Sequence, residues 1–325
     1  YELTTGDWSS DVCSSDLAGG AFTGTYEDPA TPPQTGLYRA DGQLVRWIEE
    51  NRLAEGHPYW PYRARLRTPQ FGTIKARDGE DLHWMMRTPP GFDPAKRYPV
   101  VVKLYGGPGR ALVAKTWGDP ADQLYLEAGF ILFTLDNHGT PNRSTAFKTA
   151  IDRKLGTWEV ADQIRGADYL KSLPYVDPAR IGVTGWSYGG YMTLMLLTAP
   201  NTPFAAGVSG APPTDWSLYD THYTERYMGT PADNAAGYAG SEVTARADRL
   251  APDALLLMHG MADDNVTFDN STRLMAALQA KAIGFETMLY PGLRHRAGWT
   301  QAHLKHRMET TLAFFKRKLV PVTAP

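Results

Sequence analysis

The stretch Arg180-Ile181-Gly182-Val183-Thr184 is β-forming, and a helix-forming run, Tyr191 to Leu197, follows it closely. Between them stands Gly185-Trp186-Ser187-Tyr188-Gly189, a Gly-x-Ser-x-Gly pentapeptide. A serine on so tight a strand-to-helix turn is pushed out of the sheet with its hydroxyl exposed. The flanking glycines are required because strand and helix approach too closely for Cβ atoms. The helix N-terminus behind the serine favours negative charge developing in front of it. This context reads as a nucleophile elbow.

The rest of the chain supplies a sheet for such an elbow. Phe71–Ala76 and Leu82–Met86 flank Asp78-Gly79 and read as a hairpin. Tyr98–Tyr105, Phe130–Leu135, Arg180–Thr184, Phe204–Ser209, Ala254–Met258 and Glu286–Tyr290 are apolar strand candidates. Helical runs lie between them, at Gln123–Ala128, Trp158–Leu173, Tyr191–Leu197, Thr267–Lys281 and Gln301–Leu319. Strands apolar on both faces, alternating with helices, predict a largely parallel sheet covered on both sides, with the hairpin antiparallel at one edge. With the elbow, this is an α/β-hydrolase fold.

Residues 18–60 follow another pattern. Thr23–Tyr26, Gly36–Ala40 and Gln43–Ile48 are short strands, with a hairpin signal at Asp41-Gly42, and Pro29, Pro32 and Pro33 are expected to break the region up. It reads as the tail of an all-β domain, with 61–325 as the catalytic domain. Residues 1–17 read as a non-native segment, because Gly6 to Leu17 resembles translated adapter sequence. The one cysteine, Cys13, falls there, and a single cysteine permits no internal disulfide.

Net charge is −2 and the basic residues are scattered, which argues against a nucleic-acid surface. No apolar run approaches the roughly 18 residues of a membrane span.

A serine hydroxyl needs a base held by an acid, in the chain order Ser, Asp or Glu, His. Ala254–Met258 runs into Asp263 and Asp264, and Glu286–Tyr290 runs into a loop carrying His295. Both loops leave strand C-termini, at the edge that bears Ser187. Of eight histidines, His303 and His306 lie on the last helix, and His57, His83 and His138 precede the serine. His222 and His259 precede or adjoin the acid, so His295 alone combines chain order with a loop position. Adjacent aspartates point apart, so one is expected to face His295 and the other to cap the next helix. One oxyanion donor is expected from the Tyr188 N–H. A second is expected from Leu104–Pro108, through backbone or through the Tyr105 phenol.

Four motifs carry a resemblance: Tyr105-Gly106-Gly107-Pro108, Gly185–Gly190, Tyr223–Gly229 and His259–Val266. In that order they resemble the prolyl oligopeptidase family, within it the bacterial form of the dipeptidyl peptidase IV branch. The resemblance covers roughly residues 20 to 318. It implies a serine peptidase with Ser187 as nucleophile, His295 as base, Asp263 as acid and the Tyr105 hydroxyl as second oxyanion donor. It implies a pocket for a penultimate proline or alanine, formed by Trp216, Tyr219 and Tyr223 with Tyr188 and Val266, and Asn265 on a substrate carbonyl. It implies a peptide substrate, no metal or cofactor, a possible homodimer, and a periplasmic or secreted location. Residues 18–60 would be the last strands of a β-propeller. An acylaminoacyl peptidase or esterase on the same fold, or a catalytically silent truncated fragment, are the alternatives.

Two positions depart from the family pattern. Arg296 follows the histidine where glycine is usual, and Asn137-His138-Gly139 replaces Asn-Arg-Gly. The first is expected to disturb His295. The branch also reads the substrate's amino terminus with paired propeller glutamates. No position here matches that pair, Glu49-Glu50 included. The chain alone is therefore expected to cleave Xaa-Pro anilides poorly and to reject amino-blocked ones weakly.

Overall fold

The computed structural model describes residues 20–320, so the adapter-like segment and Cys13 lie outside the described residues. Residues 20–70 with 114–124 form one compact unit, and residues 71–113 with 125–320 another.

The smaller unit is built on a three-stranded antiparallel sheet, β1 (Ala21–Asp28), β2 (Thr31–Arg39) and β3 (Leu44–Glu49). The prolines do not break it up as expected, because Pro32 and Pro33 lie inside β2. Pairing with β3 begins only at Thr35, so neither ring removes a ladder donor on that side. The segment 114–124 belongs to the same unit. There the Trp117 N–H donates to Glu27 Oε2 at 2.9 Å, and Tyr59 packs edge-on against Trp117.

The larger unit carries an eight-stranded sheet. Its elements, in chain order, are β4 (Gln70–Lys75), β5 (Asp81–Arg87), β6 (Tyr98–Lys103), α1 (Asp122–Glu127), β7 (Ile131–Leu135), α2 (Thr145–Thr149), α3 (Trp158–Ser172), β8 (Val176–Trp186) and α4 (Tyr188–Leu197). After them come β9 (Ala206–Gly210), α5 (Thr221–Met228), α6 (Ala235–Ser241), β10 (Leu255–Gly260), α7 (Asp269–Ala280), β11 (Glu286–Tyr290) and α8 (Gln301–Leu319). Strand order is β11-β10-β9-β8-β6-β7-β5-β4. From β11 to β7 every pairing is parallel, and β5 joins β7 antiparallel at the hairpin edge, as the alternating pattern requires.

Strand periodicity divides the core. Val100, Val102, Leu255 and Leu257 join one apolar cluster with side chains of α3, α4 and α7. Val101, Leu256 and Met258 join the other, against Phe314 and Phe315 of α8. Neighbouring strand residues therefore serve opposite faces. Each fully buried side chain of this size stabilises by about 1.5–3 kcal/mol. The sheet is an α/β-hydrolase sheet, and it fixes the C-terminal edge on which the candidate site stands. Among the described residues no helix is long and apolar enough to cross a membrane.

Candidate active site

Strand β8 ends at Trp186 and α4 begins at Tyr188, leaving Ser187 alone at the turn with φ 62 and ψ −121. A non-glycine residue in that region costs on the order of 1–3 kcal/mol and persists only where the surroundings enforce it. Here they do. A Cβ on Gly185 would lie 2.5 Å from the Gly189 backbone, and one on Gly189 would lie 2.5 Å from the Leu104 carbonyl. The Ser187 N–H is tied to the Gly210 carbonyl at 2.8 Å. The side chain does not cap α4, so the hydroxyl is not spent on the helix. The first amides of a helix have no partner within it, which leaves that of Tyr188 as a donor at this turn.

Asp263 follows β10 and is almost fully buried. Its Oδ1 accepts the N–H groups of Asn265 and Val266, both at 2.9 Å. Its Oδ2 lies 2.7 Å from His295 Nδ1 and 3.2 Å from His259 Nε2. A carboxylate can only accept, so His295 carries its proton on Nδ1 and keeps a lone pair on Nε2. Burial alone would raise the Asp263 carboxyl, but the bonds from His259, His295 and the Asn265 amide hold it well below the usual carboxylate range.

Asp264 is exposed and pairs with Arg294 at 3.3 Å. It does not cap a helix as expected. Helix α7 starts at Asp269, too far along for its reach, and Phe268 occupies the cap position. Arg296 is exposed and leaves the His295–Asp263 contact in place. Trp186 lies 6.3 Å from the His295 ring and meets Trp299 edge-on at 5.5 Å. The Arg307 guanidinium covers both indoles, at 4.8 and 5.1 Å, so α8 braces the histidine loop against the elbow.

The aromatic residues gather as one cluster. Trp216 stacks on Tyr223 at 6.1 Å and meets Tyr219 edge-on at 5.8 Å. Tyr188 lies 5.4 Å from Trp216 and 5.8 Å from Tyr105. The Tyr219 hydroxyl donates to Asn265 Oδ1 at 2.9 Å. Val266 is fully buried and reaches the site through its amide. Burial raises Tyr105 above the ordinary phenol value, against the pull of Arg110 and of the Tyr223 hydroxyl, so at neutral pH it is a neutral donor.

Three neighbours were not legible in the sequence. His259, set aside by chain order, donates from Nε2 to the Val266 carbonyl at 2.9 Å while Nδ1 accepts from Ser271 at 2.7 Å. Asn137 donates to the Gly106 carbonyl at 2.7 Å, fixing the loop that bears Tyr105. Glu159, fully buried in the first turn of α3, accepts from the Tyr188 hydroxyl at 2.6 Å. Burial pushes the Glu159 carboxyl up to about 7, although the Gly156 amide and the Tyr188 hydroxyl pull it down. No group of three or more His, Cys, Asp or Glu suited to a metal occurs among the described residues.

An elbow serine and a carboxylate-held histidine are the two kinds of group that an acyl-transfer hydrolase uses. A sequence profile of the prolyl oligopeptidase family matches residues 119–321. The chain belongs to that family. It is 38% identical over 302 residues to a probable dipeptidyl-aminopeptidase B of Tuber melanosporum, covering 90% of this chain and 32% of that protein. A probable dipeptidyl peptidase 4 of Aspergillus fumigatus is 42% identical over 277 residues, covering 83% and 35%. The crystal structure of Porphyromonas gingivalis dipeptidyl peptidase 4 superposes with a TM-score of 0.86 at 33% identity, covering 92% of this chain and 42% of that one. The chain thus spans about a third of the length of these curated relatives.

Proposed function

We propose that this chain is the hydrolase portion of a dipeptidyl-peptidase-IV-like serine peptidase that cleaves after a penultimate proline or alanine. The observation that carries the reading is the 2.7 Å bond between His295 Nδ1 and an Asp263 clamped by two backbone amides, with the His295 ring 6.3 Å from that of Trp186, the residue before the elbow serine. In the reaction, His295 Nε2 takes the Ser187 proton as Oγ attacks the peptide carbonyl. The oxyanion is met by the Tyr188 N–H and the Tyr105 hydroxyl. The proton passes from Nε2 to the leaving amine, and water then releases the acyl group by the same steps in reverse. Asp263 holds the tautomer and stabilises the imidazolium.

Trp216, Tyr219, Tyr223, Tyr188 and Val266 form the pocket in this reading. Aromatic walls bury a pyrrolidine without polar demands. Asn265 holds a substrate carbonyl. In this reading residues 18–60 are the last strands of a propeller and the catalytic domain lies within 61–325, although the compact units change over at residue 70 and 114–124 groups with the smaller one. A homodimer and a periplasmic or secreted location complete the proposal.

The test is kcat/KM on Gly-Pro, Gly-Ala and Gly-Leu anilides. The first two are expected to exceed the third by about tenfold or more, a discrimination within reach of an apolar pocket. Equal rates would favour a general esterase or acylaminoacyl peptidase on the same fold. Tyr105→Phe is expected to lower kcat by roughly 10²–10³ with melting temperature unchanged, as for loss of one oxyanion donor. Unchanged turnover would leave Tyr105 as packing alone.

A further inference from the structure

We infer that Glu159 is a positioning residue for the oxyanion amide. By anchoring the Tyr188 side chain from beneath, it fixes the backbone N–H that follows the nucleophile. The inference rests on the proposed role of the Tyr188 amide.

The geometry is specific. Tyr188 is the first residue of α4, so its ring direction and its N–H direction share one short, strained turn. The ring is enclosed by Tyr191 at 5.3 Å, Trp216 at 5.4 Å and Tyr105 at 5.8 Å. Above it, Gly107 comes so close that a Cβ there would lie 2.4 Å from Tyr188 Cγ. The loop carrying Tyr105 therefore rests on this ring. The hydroxyl end of the ring meets a single partner, Glu159 Oε1 at 2.6 Å. The same Oε1 accepts the Gly156 N–H at 2.9 Å, and Tyr191 donates to the Leu155 carbonyl at 3.2 Å, so the start of α3 is itself held against α4. Glu159 Oε2 is buried without a hydrogen-bond partner.

Burying a carboxyl with one oxygen unsatisfied is costly, and an apolar residue of similar size would avoid that cost. What an apolar residue cannot do is accept hydrogen bonds from the Tyr188 hydroxyl and the Gly156 amide, which together tie the ring to the start of α3. Both oxyanion donors, the Tyr188 amide and the Tyr105 hydroxyl, sit on segments that bear on this ring.

The experiment measures the second-order rate of fluorophosphonate labelling and kcat on a small activated ester. Neither probe needs the proline pocket, so loss of peptide specificity leaves both readable. Glu159→Ala and Tyr188→Phe are each expected to slow both by about tenfold or more, since small misplacements of reacting groups are worth that much. KM is expected to stay within about threefold, and the double variant to be no slower than the slower single, because the Tyr188–Glu159 bond is lost in either change and the Gly156 bond that Glu159→Ala also removes does not touch the Tyr188 ring. Glu159→Gln, which keeps an acceptor oxygen, is expected to restore the rate to within about threefold of the parent. Should Glu159→Ala fail to fold, Tyr188→Phe removes the same bond at nearly constant volume. Multiplicative losses in the double variant, or a Gln variant as slow as Ala, would overturn the inference. So would unchanged rates with only a lower melting temperature. A parent chain that takes no label would overturn this inference and the proposed function together.

Discussion

Ser187→Ala and His295→Ala are each expected to bring turnover of a small activated ester down to background, and the double change to cost little more, because nucleophile and base act as one unit. The backbone makes the serine variant a clean test. Ala keeps the Cβ, so the φ of 62 is no more and no less strained than before. Ser187→Gly separates chemistry from strain. It is expected to be equally inactive yet more stable by about 1 kcal/mol, since glycine tolerates positive φ without a steric cost. Denaturant melts of the parent and the two serine variants check this. A glycine variant less stable than the alanine one would show that the elbow is not strained.

Asp263→Asn is expected to lower kcat by about 10⁴, while Asp264→Asn changes it little. The argument is one of donors. Asp263 Oδ1 faces the amides of Asn265 and Val266, and Oδ2 faces His295 and His259. An asparagine must place its NH₂ against one pair. In one rotamer it opposes two backbone N–H groups. In the other it donates to His295 Nδ1, moving the proton to Nε2 and removing the base. Asp264 is exposed, pairs with Arg294 and has no such constraint. The same clamp makes Asp263 a source of stability at neutral pH. Its folded-state value lies below its unfolded value, so that stability is present above about pH 4 and is lost as pH falls further. The reverse order of the two variants would assign the acid to Asp264.

Long periodic elements were readable and short capped ones were not. The helix at Gln301–Leu319 and the parallel strands carry enough apolar repeats to declare themselves. Helices α5 and α6 span only eight and seven residues. They are held by the Asp220 and Asn234 caps, signals visible one residue at a time. Pro32 and Pro33 misled because their tolerance depends on which edge of β2 is paired. At the site, Ser187 and His295 were legible from motif, chain order and strand ends. The choice between Asp263 and Asp264 was left open by spacing alone, because it depends on which carboxylate the loop turns inward. His259 and Glu159 were illegible for a different reason. One was set aside by an order rule that does not govern supporting residues. The other meets Tyr188 across 29 positions of chain, and nothing local to α3 announces that contact.

The most direct test is the site of covalent labelling by a fluorophosphonate, located by peptide mass spectrometry on the chain and on Ser187→Ala. Labelling at Ser187 alone, absent from the alanine variant, is the expected result. Label on another residue, or label that survives Ser187→Ala, would contradict the assignment of the elbow serine as nucleophile.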